Sequence, residues 1–207
     1  MKLGRFFASV LALFTMVGSG QAQSLSAAEI AAMVDERMGS VDEYAELLND
    51  PDPDRSLAAM QIMIGLDDAQ ISRMALQHGL TSTSPGVRKA ALKAYLDAGP
   101  ILNIYIDGST LDRENLTSAI NQQSGTVDAS GTAFLSYKVG GFDAENGCYD
   151  FHVNASYCLL TLSESNVSMN LWSRWTSMTL NAEGNLVGML QVANIRPSVP
   201  VTVPVKP

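Results

Sequence analysis

The hydrophobic period of the chain changes within residues 99–107, which read GPILNIYID. Before this stretch, apolar residues recur at every third or fourth position, which is typical of helices that bury one face. Within it, Leu102, Ile104 and Ile106 occupy alternate positions, which is typical of a half-buried strand. The sequence therefore predicts a helical segment that is followed by a β segment.

Capping residues mark the helix boundaries before the change of period. Ser26 and Glu29 form a capping box, and Gly39 fits the glycine position that follows a helix end. Pro53 and Pro85 fit the first turns of two later helices, where a missing N–H group costs nothing. We predict five short helices that pack as antiparallel neighbours, because the links between them are short.

Two of these predicted helices resemble each other. Residues 52–64 align with residues 84–96, with Pro53 matching Pro85 and Ala59 matching Ala91. This pattern of a polar turn, a proline at helix entry and an Ala-Ala-Leu interior makes residues 50–99 similar to HEAT-type helical repeats. The resemblance implies a small helical stack with a protein-contact surface, and it assigns no active residue.

Short strands separated by turn clusters follow the change of period. Six further strand candidates lie between residues 132 and 192, and one short helix fits residues 112–122. Strands at this spacing fit an antiparallel meander, a sandwich or a partial barrel. The predicted fold class is α+β, with a short N-terminal helical bundle followed by an antiparallel β-meander or sandwich domain.

Proline and valine dominate the C-terminal residues 196–207. Because proline cannot donate to a central ladder, we expect an extended tail at the periphery, either disordered or lying across a neighbour. The predicted organisation is a signal peptide at residues 1–22, a helical domain at 23–99, an antiparallel β domain at 100–195 and this tail.

The first 22 residues have the pattern of a secretory signal peptide. Lys2 and Arg5 precede the apolar residues 6–17, and Gly20 and Ala22 supply the small residues that a cleavage site requires. As a helix the apolar run spans only about 18 Å, so a membrane anchor is the weaker interpretation. We predict cleavage after Ala22, a secreted or periplasmic location and no membrane span in the mature chain.

The composition excludes several classes of protein. The 207 residues are 46% hydrophobic with two cysteines, which argues against disordered, collagen-like and disulfide-dense chains. The full chain carries 13 basic and 21 acidic residues; without Lys2 and Arg5 the balance is 11 to 21, a net charge of −10. An acidic chain is unsuited to nucleic acid and to anionic membrane surfaces. Solubility is the simplest role for this charge.

The two cysteines, Cys148 and Cys158, are predicted to form a disulfide across a hairpin. Exported chains meet oxidising conditions, and two cysteines make one bond. A thiol nucleophile or half of a metal site are the alternatives. A nucleophile needs a base, for which the chain offers only His78 and His152, and a zinc site needs three or four ligands.

No familiar catalytic or cofactor motif occurs in the sequence. Phosphate-binding glycine loops, paired C-x-x-C motifs, H-E-x-x-H and nucleotide fingerprints are all missing. We therefore assign no catalytic residue, no metal and no cofactor. An extracellular hydrolase that uses Asp143, Glu145 or Asp150, with His152, stays open as an alternative, since a carboxylate pair needs no such motif.

The candidate binding residues are Trp172, Arg174 and Trp175. Strand alternation places Trp172 out of phase with Val167 and Met169, so it faces outward if those residues face the core. An exposed tryptophan beside an arginine suits stacking on a sugar or anchoring a partner protein. The alternative is that Trp172 covers the edge of the core.

These observations favour a secreted or periplasmic, non-catalytic module that binds a protein or a glycan. The alternatives are the extracellular hydrolase described above and a structural or assembly component of the cell envelope. In an envelope component, the Pro-Val tail or the helical stack would contact a neighbouring chain.

Overall fold

The computed structural model describes residues 26–163 and 166–207. The predicted signal peptide, residues 1–22, lies outside the described residues. The chain divides into two units after Gly39, and the barrel and the helix packing described below are those of Ser40–Pro207. None of the described helices combines the length and hydropathy that crossing a bilayer requires.

Helices form the first part of the described chain, and strands form most of the rest. The helices are α1 (Ala27–Leu48), α2 (Pro53–Ile64), α3 (Ala69–Thr81), α4 (Pro85–Asp97) and α5 (Arg113–Asn121). The strands are β1 (Ile101–Asp107), β2 (Thr126–Val127), β3 (Thr132–Asp143), β4 (Cys148–Phe151), β5 (Asn154–Leu162), β6 (Val167–Leu171), β7 (Arg174–Leu180), β8 (Asn185–Leu190) and β9 (Val199–Pro204).

The predicted capping box begins α1, but the predicted stop does not end it. The backbone N–H of Ser26 donates to Glu29 Oε2 at 2.7 Å, and the N–H of Glu29 donates to Ser26 Oγ at 3.2 Å. Helix α1 continues through Gly39 to Leu48, so the first two predicted helices are one. A helix tolerates an interior glycine at a cost of about 1 kcal/mol, and Gly39 lacks the left-handed backbone that a stop requires.

Helices α2, α3 and α4 pack closely around a glycine. Both α2 and α4 begin at a proline, and Asp52 caps α2 by accepting from the Asp54 N–H at 3.0 Å. A Cβ atom at Gly79 of α3 would overlap the fully buried side chains of Met60 on α2 and Ala91 on α4. The missing side chain therefore lets the three helices approach one another.

The strands form a closed antiparallel barrel. Eight strands follow one another in the order β1-β9-β8-β7-β6-β5-β4-β3, and β3 pairs with β1 to complete the circle. The closing ladder pairs residues 101–107 with residues 138–132. The predicted β-meander or sandwich is therefore wrong. Strand alternation is the same in these architectures, and only the long-range pairing of β1 distinguishes the barrel.

The C-terminal segment contributes a strand to this barrel rather than a peripheral tail. Strand β9 pairs with β8 along its whole length and with β1 at Tyr105 and Ile106. Pro200 and Pro204 both occupy even-numbered positions of β9, so their missing N–H donors point toward the same neighbouring strand. The ladder on the other side keeps all its donors, which explains how a proline-containing strand has two neighbours.

Alternate residues of the strands fill the barrel. Leu102, Ile104 and Ile106 of β1 are fully buried, and Val201 of β9 lies opposite Ile106. Val203 follows Val201 in the same phase and is also fully buried. Because each barrel strand has two neighbours, this apolar interior needs no second sheet to cover it.

The order of the strands separates the two ends of the barrel. The β5–β6 and β7–β8 turns lie at one end, and the β6–β7 turn lies at the other. Helices α3 and α4 lie at the first end, where Leu80 is next to Gly184 of the β7–β8 turn. Leu80 and Thr81 of α3 also line one pocket with Lys206, which follows β9 at the same end. The β6–β7 turn is therefore remote from these helices.

The predicted disulfide between Cys148 and Cys158 is confirmed. It joins β4 to β5 with a Cα–Cα distance of 5.6 Å. Asp150, which lies opposite Cys158 in the ladder, places its Oδ1 atom 3.9 Å from Cys148 Sγ. Both thiols are consumed by the bond, so neither cysteine offers a thiolate.

A buried tyrosine connects the barrel to α4. Tyr149 of β4 is 1% exposed, and its hydroxyl donates to Asp97 Oδ1 at 2.8 Å. Asp97 Oδ2 accepts from Lys93 Nζ at 2.7 Å, and Lys93 lies over the Phe142 ring. Burial, followed by the hydrogen bond and charge of Asp97, raises the pKa of Tyr149 above its ordinary value.

The raised pKa of Tyr149 predicts alkaline sensitivity. Its stabilising effect is fully present below the unfolded-state pKa, about pH 10, and is lost as the pH rises through that value and beyond. The free energy of unfolding, measured by urea titration, should fall with pH above about pH 10 in the native chain. In Tyr149→Phe this fall should be less steep, by up to about 1.4 kcal/mol per pH unit. Parallel declines in the two proteins would contradict this role.

Candidate functional site

The β6–β7 turn has an unusual backbone. Leu171 pairs with Arg174, so Trp172 and Ser173 form a two-residue loop with φ angles of 51° and 58°. Left-handed residues at both positions are typical of a type I′ turn, which favours Asn-Gly. A bulky tryptophan in this conformation is rare and costs on the order of 1–3 kcal/mol. Because such strain is concentrated at functional sites, this turn is a candidate functional site.

The side chain of Trp172 is half-buried rather than displayed on the outward face of a strand. It packs against the core, and its indole Nε1 is buried with no hydrogen-bond partner. Asn170 Oδ1 is also buried and unpaired, although Asn170 Nδ2 donates to the Cys158 carbonyl at 3.2 Å. Each unpaired buried group costs about 1–3 kcal/mol. The turn therefore holds an unused donor and an unused acceptor.

The other two predicted binding residues lie directly after this turn. Arg174 donates from Nη2 to Asn194 Oδ1 at 3.0 Å and from Nη1 to Gln191 Oε1 at 3.4 Å. These bonds connect the turn to the segment between β8 and β9. Trp175 lies opposite Asn170 in the ladder and is 51% exposed. Trp175, rather than Trp172, is thus the outward-facing tryptophan.

A cavity of about 180 Å³ adjoins the turn. Tyr137 of β3 shares the inward phase of Leu135 and Val139, and its ring meets that of Phe151 edge-on at 5.3 Å. The Tyr137 hydroxyl donates to Gln123 Oε1 at 3.1 Å, and burial raises the Tyr137 pKa. The residues around the cavity are Gln123, Tyr137, Phe151, Tyr157, Asn170, Leu171, Trp172 and Ser173.

Sequence reasoning missed most of this lining. Tyr137, Phe151 and Tyr157 belong to three different strands, and Gln123 follows α5. The available signal is the inward phase of Tyr137, because an aromatic residue with a hydroxyl among aliphatic inward positions needs a polar partner. These strands are consecutive neighbours in the sheet, and the curvature of the sheet places their ends around one cavity.

The acids of the hydrolase alternative do not line this cavity. Asp143 stabilises the β3–β4 turn by accepting from Asn146 Nδ2 at 2.6 Å and from the Glu145 N–H at 2.8 Å. The Asn146 side chain, followed by backbone N–H donors, lowers the pKa of Asp143. Asp150 is 9% exposed beside the disulfide, and His152 is exposed in the β4–β5 turn. The described structure does not gather these groups around one reacting point.

The thiol-based metal site considered from the sequence lacks its ligands. Among the described residues, potential ligand atoms of Cys148, Asp150 and Cys158 lie within 4.8 Å of one another. The two sulfur atoms are bonded to each other, however, and metal binding requires thiolates. This cluster is therefore a disulfide with a neighbouring carboxylate.

The strained turn predicts a stabilising substitution. Ser173 is exposed and left-handed, a conformation that costs an L-residue about 1–2 kcal/mol and glycine very little. Because glycine also loses more chain entropy, we expect Ser173→Gly to raise the free energy of unfolding by about 0.5–1 kcal/mol. Urea denaturation measures this change, and a destabilised Ser173→Gly protein would contradict the left-handed geometry.

Comparisons of the chain with protein-family models, curated proteins and solved structures find no match.

Proposed function

We propose that this chain is a secreted or periplasmic, non-catalytic module that binds a protein or a glycan at the β6–β7 turn. The left-handed backbone of Trp172, together with its unpaired indole Nε1, carries the proposal. Strain and unpaired polar groups lower stability, so their presence at an end of the barrel favours a role in binding.

The residues around the turn supply suitable chemistry for recognition. Trp175 and Tyr157 expose 51% and 59% of their surfaces, and both combine a large apolar ring with a polar atom. Arg174 is held by Asn194 and Gln191, so its position at the start of β7 is fixed before binding. Preorganised side chains lose less entropy when a partner binds.

The proposed location rests on two features of the chain. The N-terminal pattern is typical of an export signal, and the disulfide between Cys148 and Cys158 is typical of oxidising compartments. Detection of the processed chain, beginning at Gln23, in the extracellular or periplasmic fraction of its native cells would support this part of the proposal. Recovery of the unprocessed chain from the cytosol would contradict it.

The binding role is tested with a matched pair of exposed aromatic residues. We expect Trp175→Ala to abolish capture of the glycan or protein that the native chain binds on an array and in its own extracellular or periplasmic fraction. Tyr105→Ala is the control, because Tyr105 is 39% exposed on β1, which β8 and β9 separate from β7. Equal capture by the native chain and Trp175→Ala, with the fold intact, would overturn the assignment of this site.

A further inference from the structure

We infer that the cavity beside the β6–β7 turn binds one pyranose ring of a neutral saccharide. The inference rests on the proposed function, since it names the ligand class for the same turn. Charge, chemistry of the lining and size each support it.

The charge of the lining favours a neutral ligand. None of the side chains around the cavity carries a formal charge. A ligand ion bound there would lose part of its hydration without gaining a counter-charge. Arg174, which follows Ser173, is already bonded to Gln191 and Asn194. Uronic acids, sugars with a free amino group and phosphate esters are therefore poor fits for the cavity.

The chemistry of the lining favours a sugar over a hydrocarbon. The rings of Phe151, Tyr157 and Trp172 offer apolar faces on which the C–H face of a pyranose can stack. Two residues of the lining carry unpaired polar atoms, the Trp172 Nε1 donor and the Asn170 Oδ1 acceptor, and both atoms are buried. Sugar hydroxyls both donate and accept, so a sugar supplies both kinds of missing partner once these atoms are uncovered, whereas a hydrocarbon leaves both unpaired.

The size of the cavity suits a single ring. Its volume, about 180 Å³, is below the roughly 300–1,000 Å³ of pockets that enclose larger ligands. The remaining units of a longer glycan would extend over the exposed rings of Tyr157 and Trp175. The cavity thus binds one sugar unit, and the surrounding surface contributes affinity for the other units of the glycan.

Binding requires Trp172 to move. Its Nε1 atom and Asn170 Oδ1 are covered by neighbouring groups, so a hydroxyl reaches them only when the indole shifts. Movement of Trp172 also gives its left-handed backbone a route to a less strained conformation. The indole of Trp172 is therefore the group whose signal changes when the ligand binds.

The test is a titration of the full chain with methyl glycosides, followed by the indole ¹H–¹⁵N signals. The chain has two tryptophans, and Trp172→Phe identifies which signal belongs to Trp172. The neutral probes are methyl glucoside, methyl galactoside and methyl N-acetylglucosaminide, and the charged counterparts are glucuronic acid and glucosamine. We expect at least one neutral probe to shift the Trp172 signal with saturation, and the charged compounds to leave it unchanged.

Calorimetry with the same probe tests the named contacts. We expect Trp172→Phe and Tyr157→Ala each to weaken affinity about tenfold, the effect of one lost interaction, and Tyr105→Ala to leave it unchanged. Stronger binding of the charged compounds, or no Trp172 shift with any neutral probe, would overturn the saccharide inference. The binding function would survive that failure if Trp175→Ala still loses a captured partner, and it would fall separately if capture is unaffected.

Discussion

Deletion of residues 196–207 is expected to prevent the chain from folding. The deletion removes β9, whose Val199, Val201 and Val203 are buried in the barrel. A fully buried valine contributes about 1.5–3 kcal/mol, so their combined loss approaches the roughly 5–15 kcal/mol that stabilises a whole domain. The facing edges of β1 and β8 would also lose their hydrogen-bond partner. Circular dichroism during thermal unfolding measures the effect.

A pair of aspartate substitutions controls for the length of the deletion. Val201 is 1% exposed and faces the interior, whereas the adjacent Pro200 is exposed. Burying an unpaired carboxylate is strongly unfavourable, so Val201→Asp should abolish the cooperative transition, and Pro200→Asp should leave it nearly unchanged. Equally small effects of Val201→Asp and Pro200→Asp on unfolding would mean that β9 lies outside the barrel.

Replacement of both cysteines by alanine is expected to lower the free energy of unfolding by about 3 kcal/mol. The Cys148–Cys158 bond closes a loop with a sequence separation of 10, and that loop loses conformational freedom in the unfolded chain. For a domain of this length, the change corresponds to a fall in melting temperature of about 6–12 °C. Differential scanning calorimetry measures it.

Reduction provides the control for the cysteine substitutions. The native chain in a reducing buffer should melt at the temperature of the Cys148→Ala, Cys158→Ala variant, and reductant should not change the melting of that variant. Equal melting of the oxidised native chain and the variant would contradict a stabilising role for the bond.

Local sequence signals predicted several elements of the fold correctly. The alternation of Leu102, Ile104 and Ile106 predicted β1, and the hairpin spacing of Cys148 and Cys158 predicted the disulfide. Each of these features depends on residues that are close together in the sequence. The similarity of residues 50–99 to HEAT-type repeats stays a prediction.

Closure of the barrel depends on contacts that no local pattern encodes. Strand β1 pairs with β9, which comes from the far end of the chain. The residues next to Tyr105 and Thr202 in the sequence do not indicate that these two residues pair. The prolines at 200 and 204 also argued against a central strand, because proline lacks a donor. The two prolines lie in the same phase of the strand, so their missing donors affect only one of its two ladders. This shared phase was the part of the sequence pattern that allowed a central strand.

The candidate site was located only in part from the sequence. The sequence predicted Trp172, Arg174 and Trp175 as binding residues. The structure places them at one turn and at the start of β7. The turn itself was not predicted, because Trp-Ser lacks the glycine and asparagine that signal a two-residue hairpin. The cavity beside the turn also needs Tyr137 and Phe151, which the curvature of the sheet brings near.

Closure of the barrel is tested most directly by nuclear Overhauser contacts of one residue. Tyr105 of β1 lies between Phe134 of β3 and Thr202 of β9. We predict backbone contacts from Tyr105 to both residues in the same spectrum, with slow amide exchange in β9. Contacts to Phe134 alone, with random-coil shifts and fast exchange over residues 199–204, would contradict the closed barrel.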